Sequence, residues 1–262
     1  MLDDRELPFW TYAAPHLVRD TPWLKAWGSP MLKAFGLSQA SIVDVRAAEA
    51  FRLGHLPLAV NVPATVFERH LRQPEALAAA LGEAGVDQSL EAVVVSEGGL
   101  NERSALAFML FERIGQARVS LLLDSTERWA ELGHEVARPA ATPQPGGLAA
   151  TPALRYAPRL REGTVVDGPA ATSGRYPRVY IASGRTMPAR EPPGTLIHLP
   201  YPEFLNADAT PRAASDIWRT LDKAGVPRYA EIVLFADSPG EAAVNYLIFR
   251  MMGFADVKVW LR

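Results

Sequence analysis

The chain of 262 residues contains no cysteine. That absence excludes disulfides, Cys-ligated zinc, iron–sulfur clusters and a thiolate nucleophile. It also leaves the redox compartment unreadable. Lysine is scarce: four lysines stand against 23 arginines, a bias that, with abundant alanine, reads as a GC-rich, bacterial-type genome rather than as a function. No apolar run approaches the ~20 residues a membrane-spanning helix needs. The opening MLDDRELPFW has neither a basic n-region nor an apolar h-region, so it does not read as a signal peptide. A leader removed from a precursor is compatible with this, and a cytoplasmic location is the expectation. The net charge of −2 gives no basic field for nucleic acid. The five histidines show no close metal-ligand spacing, so no metal or other cofactor is expected.

What is present is ordinary for a soluble globular protein: 48% hydrophobic and 21% charged residues. The length suits one large or two small domains with a sizeable core. Residues 1–38 read as an irregular opening, with Trp10, Trp23 and Trp27 among Pro8, Pro15, Pro22 and Pro30. Prolines this dense forbid one long helix, and the aromatics are expected to pack onto a neighbouring surface, an exposed docking patch being the alternative.

From residue 41 short apolar runs alternate with helical patterns. Ser41–Val45, Val60–Val62, Ala92–Val95 and Val119–Leu123 read as strands; Pro74–Leu81, Glu102–Ile114 and Glu127–Leu132 read as helices, the last two stopping at Gly115 and Gly133. Such alternation predicts an α/β fold with mostly parallel sheets flanked by helices. Residues 139–163 have the Pro-, Gly- and Ala-rich composition of a linker. Beyond it the first half recurs at an offset of 138 residues: Leu110-Phe111 returns as Ile248-Phe249, Gly115 as Gly253, and Ile42-Val43 as Tyr180-Ile181. AVVV at 92–95 corresponds to Ile232–Phe235, and NVPATVF (61–67) to HLPYPEF (198–204). The predicted plan is therefore an extension (1–38), domain 1 (39–138), a linker (139–163) and a degenerate domain 2 (164–262).

The first copy resembles a rhodanese domain, through Val43-Asp44-Val45-Arg46, Glu49-Ala50-Phe51, Gly54-His55-Leu56-Pro57 and Ala59-Val60-Asn61-Val62-Pro63, then the strand, loop and helix to Gly115, and Trp129 to Gly133. The second copy resembles the same family more weakly, keeping Pro193-Gly194 and Pro200–Leu205 but carrying Ala182 where the first has Asp44. The whole is similar to the tandem thiosulfate and mercaptopyruvate sulfurtransferases. The resemblance implies that the second domain would carry catalysis at a cleft between the two, through a cysteine at a strand end followed by a loop of inward-pointing amides. Counting back from Gly253, Ala236 stands at the position of that cysteine; in the first copy the position falls near Ser96–Gly98. Without cysteine ordinary persulfide transfer is excluded for this chain, and the resemblance then implies a sulfurtransferase homologue of pseudoenzyme type.

The loops supply the candidate binding residues. In the second, Ala236, Asp237, Ser238, Gly240 and Glu241 surround Pro239. Ser238 as N-cap, Pro239 at N1 and Glu241 at N3 predict a capping box, while Asp237 and Glu241 add charge that opposes an anionic ligand. In the first, Ser96, Glu97, Gly98, Gly99 and Asn101 form a glycine-containing turn with Asn101 as the expected N-cap. Arg46 joins them: with Asp44 it is expected to make loop-fixing hydrogen bonds and to pair with Glu49, or else to face the cleft, and His55 is expected to serve a structural hydrogen bond. Arg103 and Arg113 read as solvated charges. The function predicted is a non-catalytic rhodanese homologue that binds an unknown small anion or a protein partner. The alternatives are an enzyme of another reaction class, with Glu97, Asp237 and Glu241 as acid and base beside loop amides, and a structural subunit of a sulfur-metabolism complex.

Overall fold

The structure, a computed structural model, describes residues 11–34, 36–138, 153–168, 176–187, 192 and 194–262. Pro8, Trp10, much of the proposed linker and Pro193 lie outside the described residues. The described residues fall into two compact units. The first takes in Val18–Gly99 and Leu106–Arg161; the second takes in the chain up to Leu17, Leu100–Ala105 and Glu162–Arg262.

The strands of the first unit are β1 (Val18–Arg19), β2 (Ala40–Asp44), β3 (Val60–Asn61), β4 (Glu91–Val95) and β5 (Arg118–Leu122), in the order β1-β5-β4-β2-β3. Every pairing is parallel. A parallel sheet covered by helices buries both faces of its strands, and β4 is accordingly buried at all five positions. The helices are α1 (Thr21–Trp27), α2 (Pro30–Ala34), α3 (Ala48–Leu53), α4 (Ala64–Arg69), α5 (Pro74–Glu83), α6 (Glu102–Arg113), whose residues up to Ala105 count with the second unit, and α7 (Thr126–Glu131). Leu24, Ile42, Val93, Val95, Leu122 and Trp129 form one core cluster. Phe67 packs against Phe111, their rings 5.4 Å apart.

Part of the segment that reads as irregular is thus β1 and α1. Asp20 caps α1 by accepting from the amide of Trp23 at 2.9 Å, and Pro22 lies in its first turn, where a missing N–H costs nothing. Trp23 packs on the core while Trp27 stays 48% exposed. The end of the linker does not float free: the amide of Leu154 donates to the carbonyl of Gly82 and that of Arg159 to Ile114, and Tyr156 is buried.

In the second unit β6 (Val165–Val166), β7 (Arg178–Ala182), β8 (Thr195–His198), β9 (Glu231–Phe235) and β10 (Asp256–Trp260) repeat the order as β6-β10-β9-β7-β8, again all parallel. Helices α8 (Ala214–Lys223) and α9 (Pro239–Met251) belong with this sheet, and Phe204, Phe249 and Phe254 pack together in its core. The internal repeat is therefore a repeat of topology.

Each sheet begins its central strand with a buried carboxylate. Glu91 accepts from Arg19 at 2.8 and 3.0 Å and from the hydroxyl of Ser120 at 2.6 Å. Glu231 accepts from Arg178 at 3.0 Å and from Lys258 at 2.5 Å. In the second unit the donors come from the two strands flanking β9; in the first they come from β5, which flanks β4, and from β1 beyond it, so each carboxylate ties three strands together.

Candidate functional site

Strand pairing fixes which loop positions correspond. Val43 lies opposite Val94 in the first sheet and Ile181 opposite Leu234 in the second. Two residues further along each central strand come Ser96 and Ala236, both buried, at 1% and 5% exposure. A hydroxyl and a methyl therefore occupy the two equivalent positions, and the chain has no thiol to place at either.

The first loop is internally satisfied. Gly98 and Gly99 adopt left-handed backbones, with φ of 101° and 64°, a region that L side chains resist. A Cβ on Gly98 would lie 3.1 Å from the Cβ of Ser125, and the amide of Gly99 donates to Leu123 at 2.8 Å. Asn101 caps α6 as expected: its Oδ1 accepts from the amides of Arg103 and Ser104 at 3.1 and 3.0 Å. Glu97 is exposed at the turn.

Arg46 does not pair with Glu49. Asp44 is completely buried and would be a bare interior charge without it. Its carboxylate accepts from the Arg46 amide at 3.0 Å and from Nη2 at 2.6 Å, and Nη2 also donates to the carbonyl of Gly54 at 2.8 Å. Burial works against the Arg46 charge, but the hydrogen bond and charge of Asp44, aided by Glu127 and Glu97, outweigh it and raise the pKa. Glu49 stays exposed, 3.6 Å from Arg52. The ring of His55 stacks on Phe51 with Nδ1 2.9 Å from the Phe51 carbonyl, the structural role its motif suggested. Arg113 is not simply solvated: its Nη1 donates to the carbonyl of Leu71 at 2.6 Å.

The second loop departs from its expected capping box. Ser238 has the non-helical N-cap backbone, φ −97° and ψ 126°, but its side chain makes no capping hydrogen bond to α9. Its hydroxyl donates instead to Oε2 of Glu102 at 3.3 Å. Glu241, which would complete the box by reaching back to Ser238, accepts from the amide of Arg185 at 3.4 Å. Both members prefer partners distant in sequence, which a local motif cannot register. Asp237 is exposed and lies 3.6 Å from Arg262.

Three residues that the sequence did not single out as site residues complete this region, all within the second unit. The hydroxyl of Tyr201, in a side chain 6% exposed, accepts from Nη2 of Arg185 at 2.7 Å and donates to Oε1 of Glu102 at 2.9 Å. Burial raises the Tyr201 pKa, the hydrogen bond to Glu102 adds to the rise, and Arg185 partly offsets it. His198 does not join: its Nε2 lies 3.0 Å from the carbonyl of Gly184. Ser238 therefore has a carboxylate, not an imidazole, as its partner. The one signal pointing to Tyr201 was its place in the recurring HLPYPEF segment; Glu102 read only as an acidic residue in a first helical turn. Among the described residues, no group of three or more His, Asp or Glu side chains is placed to hold a metal ion, and no helix is long and apolar enough to cross a membrane.

Comparison with known proteins agrees with this architecture. Residues 31–132 match the family described as "Rhodanese-like domain". A protein of Synechococcus elongatus named "Putative thiosulfate sulfurtransferase" is 24% identical over 257 residues, covering 85% of this chain and 75% of the relative. Among solved structures, SseA from Escherichia coli, a 3-mercaptopyruvate sulfurtransferase, superposes with a TM-score of 0.71 at 19% identity, covering 93% of this chain and 97% of that one. An EanB variant in complex with ergothioneine gives a TM-score of 0.72 at 15% identity, covering 93% of this chain and 66% of the other. These structural likenesses carry the fold. With the sequence matches and the repeated sheet, they make residues 31–132 a rhodanese-like domain, in a cysteine-free chain that repeats the fold and is similar in sequence to a thiosulfate sulfurtransferase relative.

Proposed function

We propose that the chain is a non-catalytic rhodanese homologue that binds a small ligand or a protein partner through the loop that opens α9. The observation that carries this reading is the buried methyl of Ala236 at the strand end where the relatives' chemistry needs a sulfur atom. Persulfide transfer requires a thiolate to take up and hand on sulfur, and neither equivalent position nor any other in the chain supplies one. Ser238, two residues along the chain, donates to Glu102, and Glu241 is held by the backbone of Arg185. The carboxylate that accepts from Ser238 already accepts from Tyr201, and His198, held at the Gly184 carbonyl, gives Ser238 no imidazole base.

The same geometry weighs against acid–base chemistry by the loop carboxylates. Asp237 is solvated and ion-paired, and Glu241 accepts a backbone hydrogen bond. Nothing in the fold beyond the family likeness favours membership of a sulfur-metabolism complex.

The test is to supply the missing atom. Ala236→Cys, purified as the full chain, is expected to form no stable persulfide and to turn over thiosulfate barely above background, because Ser238, Glu241 and Asp237 beside it are engaged by Glu102, Arg185 and Arg262. Robust thiosulfate turnover by this variant would overturn the reading and leave a merely disabled sulfurtransferase.

A further inference from the structure

The carboxylate of Glu102 is held by two hydroxyl donors, Tyr201 at 2.9 Å and Ser238 at 3.3 Å, with Arg185 charging the first of them from behind. Its own helix does not need it there, since Asn101 already caps the first turn of α6. The backbone carrying it is fixed in place: the amide of Leu100 donates to the carbonyl of Ala209 at 2.8 Å. On the other side, Gly240 makes the approach possible. A Cβ on Gly240 would lie 2.8 Å from the Cβ of Glu102 and 3.1 Å from its carbonyl oxygen. A side chain at this position would press on the Cβ and backbone of Glu102 and force the turn that carries it to shift.

We propose that Glu102 is a built-in carboxylate ligand that occludes the loop opening α9, and that the donors it engages take a free small monocarboxylate once it is displaced. The class follows from the occupant: two hydroxyls that hold a side-chain carboxylate, one of them backed by the Arg185 guanidinium, hold a detached one of the same shape. In the resting protein the loop is closed to small anions, and access depends on moving Glu102. This deepens the ligand-binding reading of the same loop and rests on it.

The experiment is chemical rescue of the full chain, followed by thermal unfolding in sodium propionate and in sodium chloride of equal ionic strength. Glu102→Ala is expected to gain several degrees in propionate over chloride, as a ligand well above its dissociation constant requires, whereas the unaltered protein gains nothing. Adding Tyr201→Phe to Glu102→Ala should abolish the gain. Gly240→Ala, which crowds Glu102 out without changing charge, should show the same propionate response and decides the matter if Glu102→Ala does not fold. A latch that serves only stability would leave both variants less stable and indifferent to propionate, and that result would overturn the proposal. So would an equal propionate gain in the unaltered protein. Thiosulfate turnover by Ala236→Cys would end the non-catalytic reading and leave the rescue result intact, so the two failures are distinguishable.

Discussion

Neutralising Glu231 should be among the most damaging isosteric changes the second unit can suffer. The carboxylate is 1% exposed and lies within 3.0 Å of Arg178 and 2.5 Å of Lys258. Removing one partner of a buried ion pair typically costs about 3–5 kcal/mol, because the other charge stays behind without compensation. Lys258 keeps Asp256 at 2.9 Å and Arg178 can turn toward water, so Glu231→Gln should cost about 2–3 kcal/mol, at or just below the bottom of that range. Urea denaturation read by tryptophan fluorescence gives the number, with Trp260 on β10 as the local reporter. Pairing the change with Lys258→Met should recover part of the loss, since the stranded ammonium is then gone. The same contact has a pH signature. Burial lowers the Lys258 pKa, but hydrogen bonds and attraction from Glu231 and Asp256 outweigh that and raise it. A raised pKa stabilises the fold below the unfolded lysine value of about 10.4 and loses that contribution as pH rises through the folded value. Alkaline destabilisation should therefore be shallower in Lys258→Met. A Glu231→Gln protein within about 0.5 kcal/mol of the parent, the scatter of ordinary surface changes, would refute the reasoning.

Other changes test the rest of the frame. Asp44→Asn strips the partner from Arg46, whose side chain is 5% exposed, and should cost about 3 kcal/mol by urea denaturation. Tyr156→Phe removes the 2.6 Å hydrogen bond to the side-chain oxygen of Gln116 and should cost about 1–2 kcal/mol in the same assay, the toll of an orphaned buried acceptor. Gly115→Ala combines a φ of +80° with a Cβ placed 2.2 Å from the carbonyl of Arg159. It should destabilise by at least about 2 kcal/mol and loosen the segment around Arg159, seen as faster amide exchange there.

The two-copy α/β plan was legible because strands such as Ala92–Val95 and helices such as Glu102–Ile114 announce themselves by period and by terminal glycines. The end of the persulfide chemistry was legible from composition alone. Strand β1 was not, since two residues carry no period. The capping box at Ser238 failed for a related reason: local motif logic assumes local partners, and here Glu102 and Arg185 compete successfully from far along the chain. Arg46 went to Asp44 rather than Glu49 because burial, invisible to spacing, decides which carboxylate must be paired. Glu102 and Tyr201 escaped notice as site residues because their significance is their meeting, which only the folded chain brings about.

The carboxylates Glu91 and Glu231 grip their sheets at the ends where the central strands begin, whereas the altered loops leave from the ends where those strands finish. Mutations that reshape one margin of the sheet therefore leave the clamp at the opposite margin untouched. A lineage built this way can discard a nucleophile, exchange loop partners and explore new contacts without first becoming unstable. Within each repeat the inherited scaffold and the part free to drift are separated by the length of a five-residue strand.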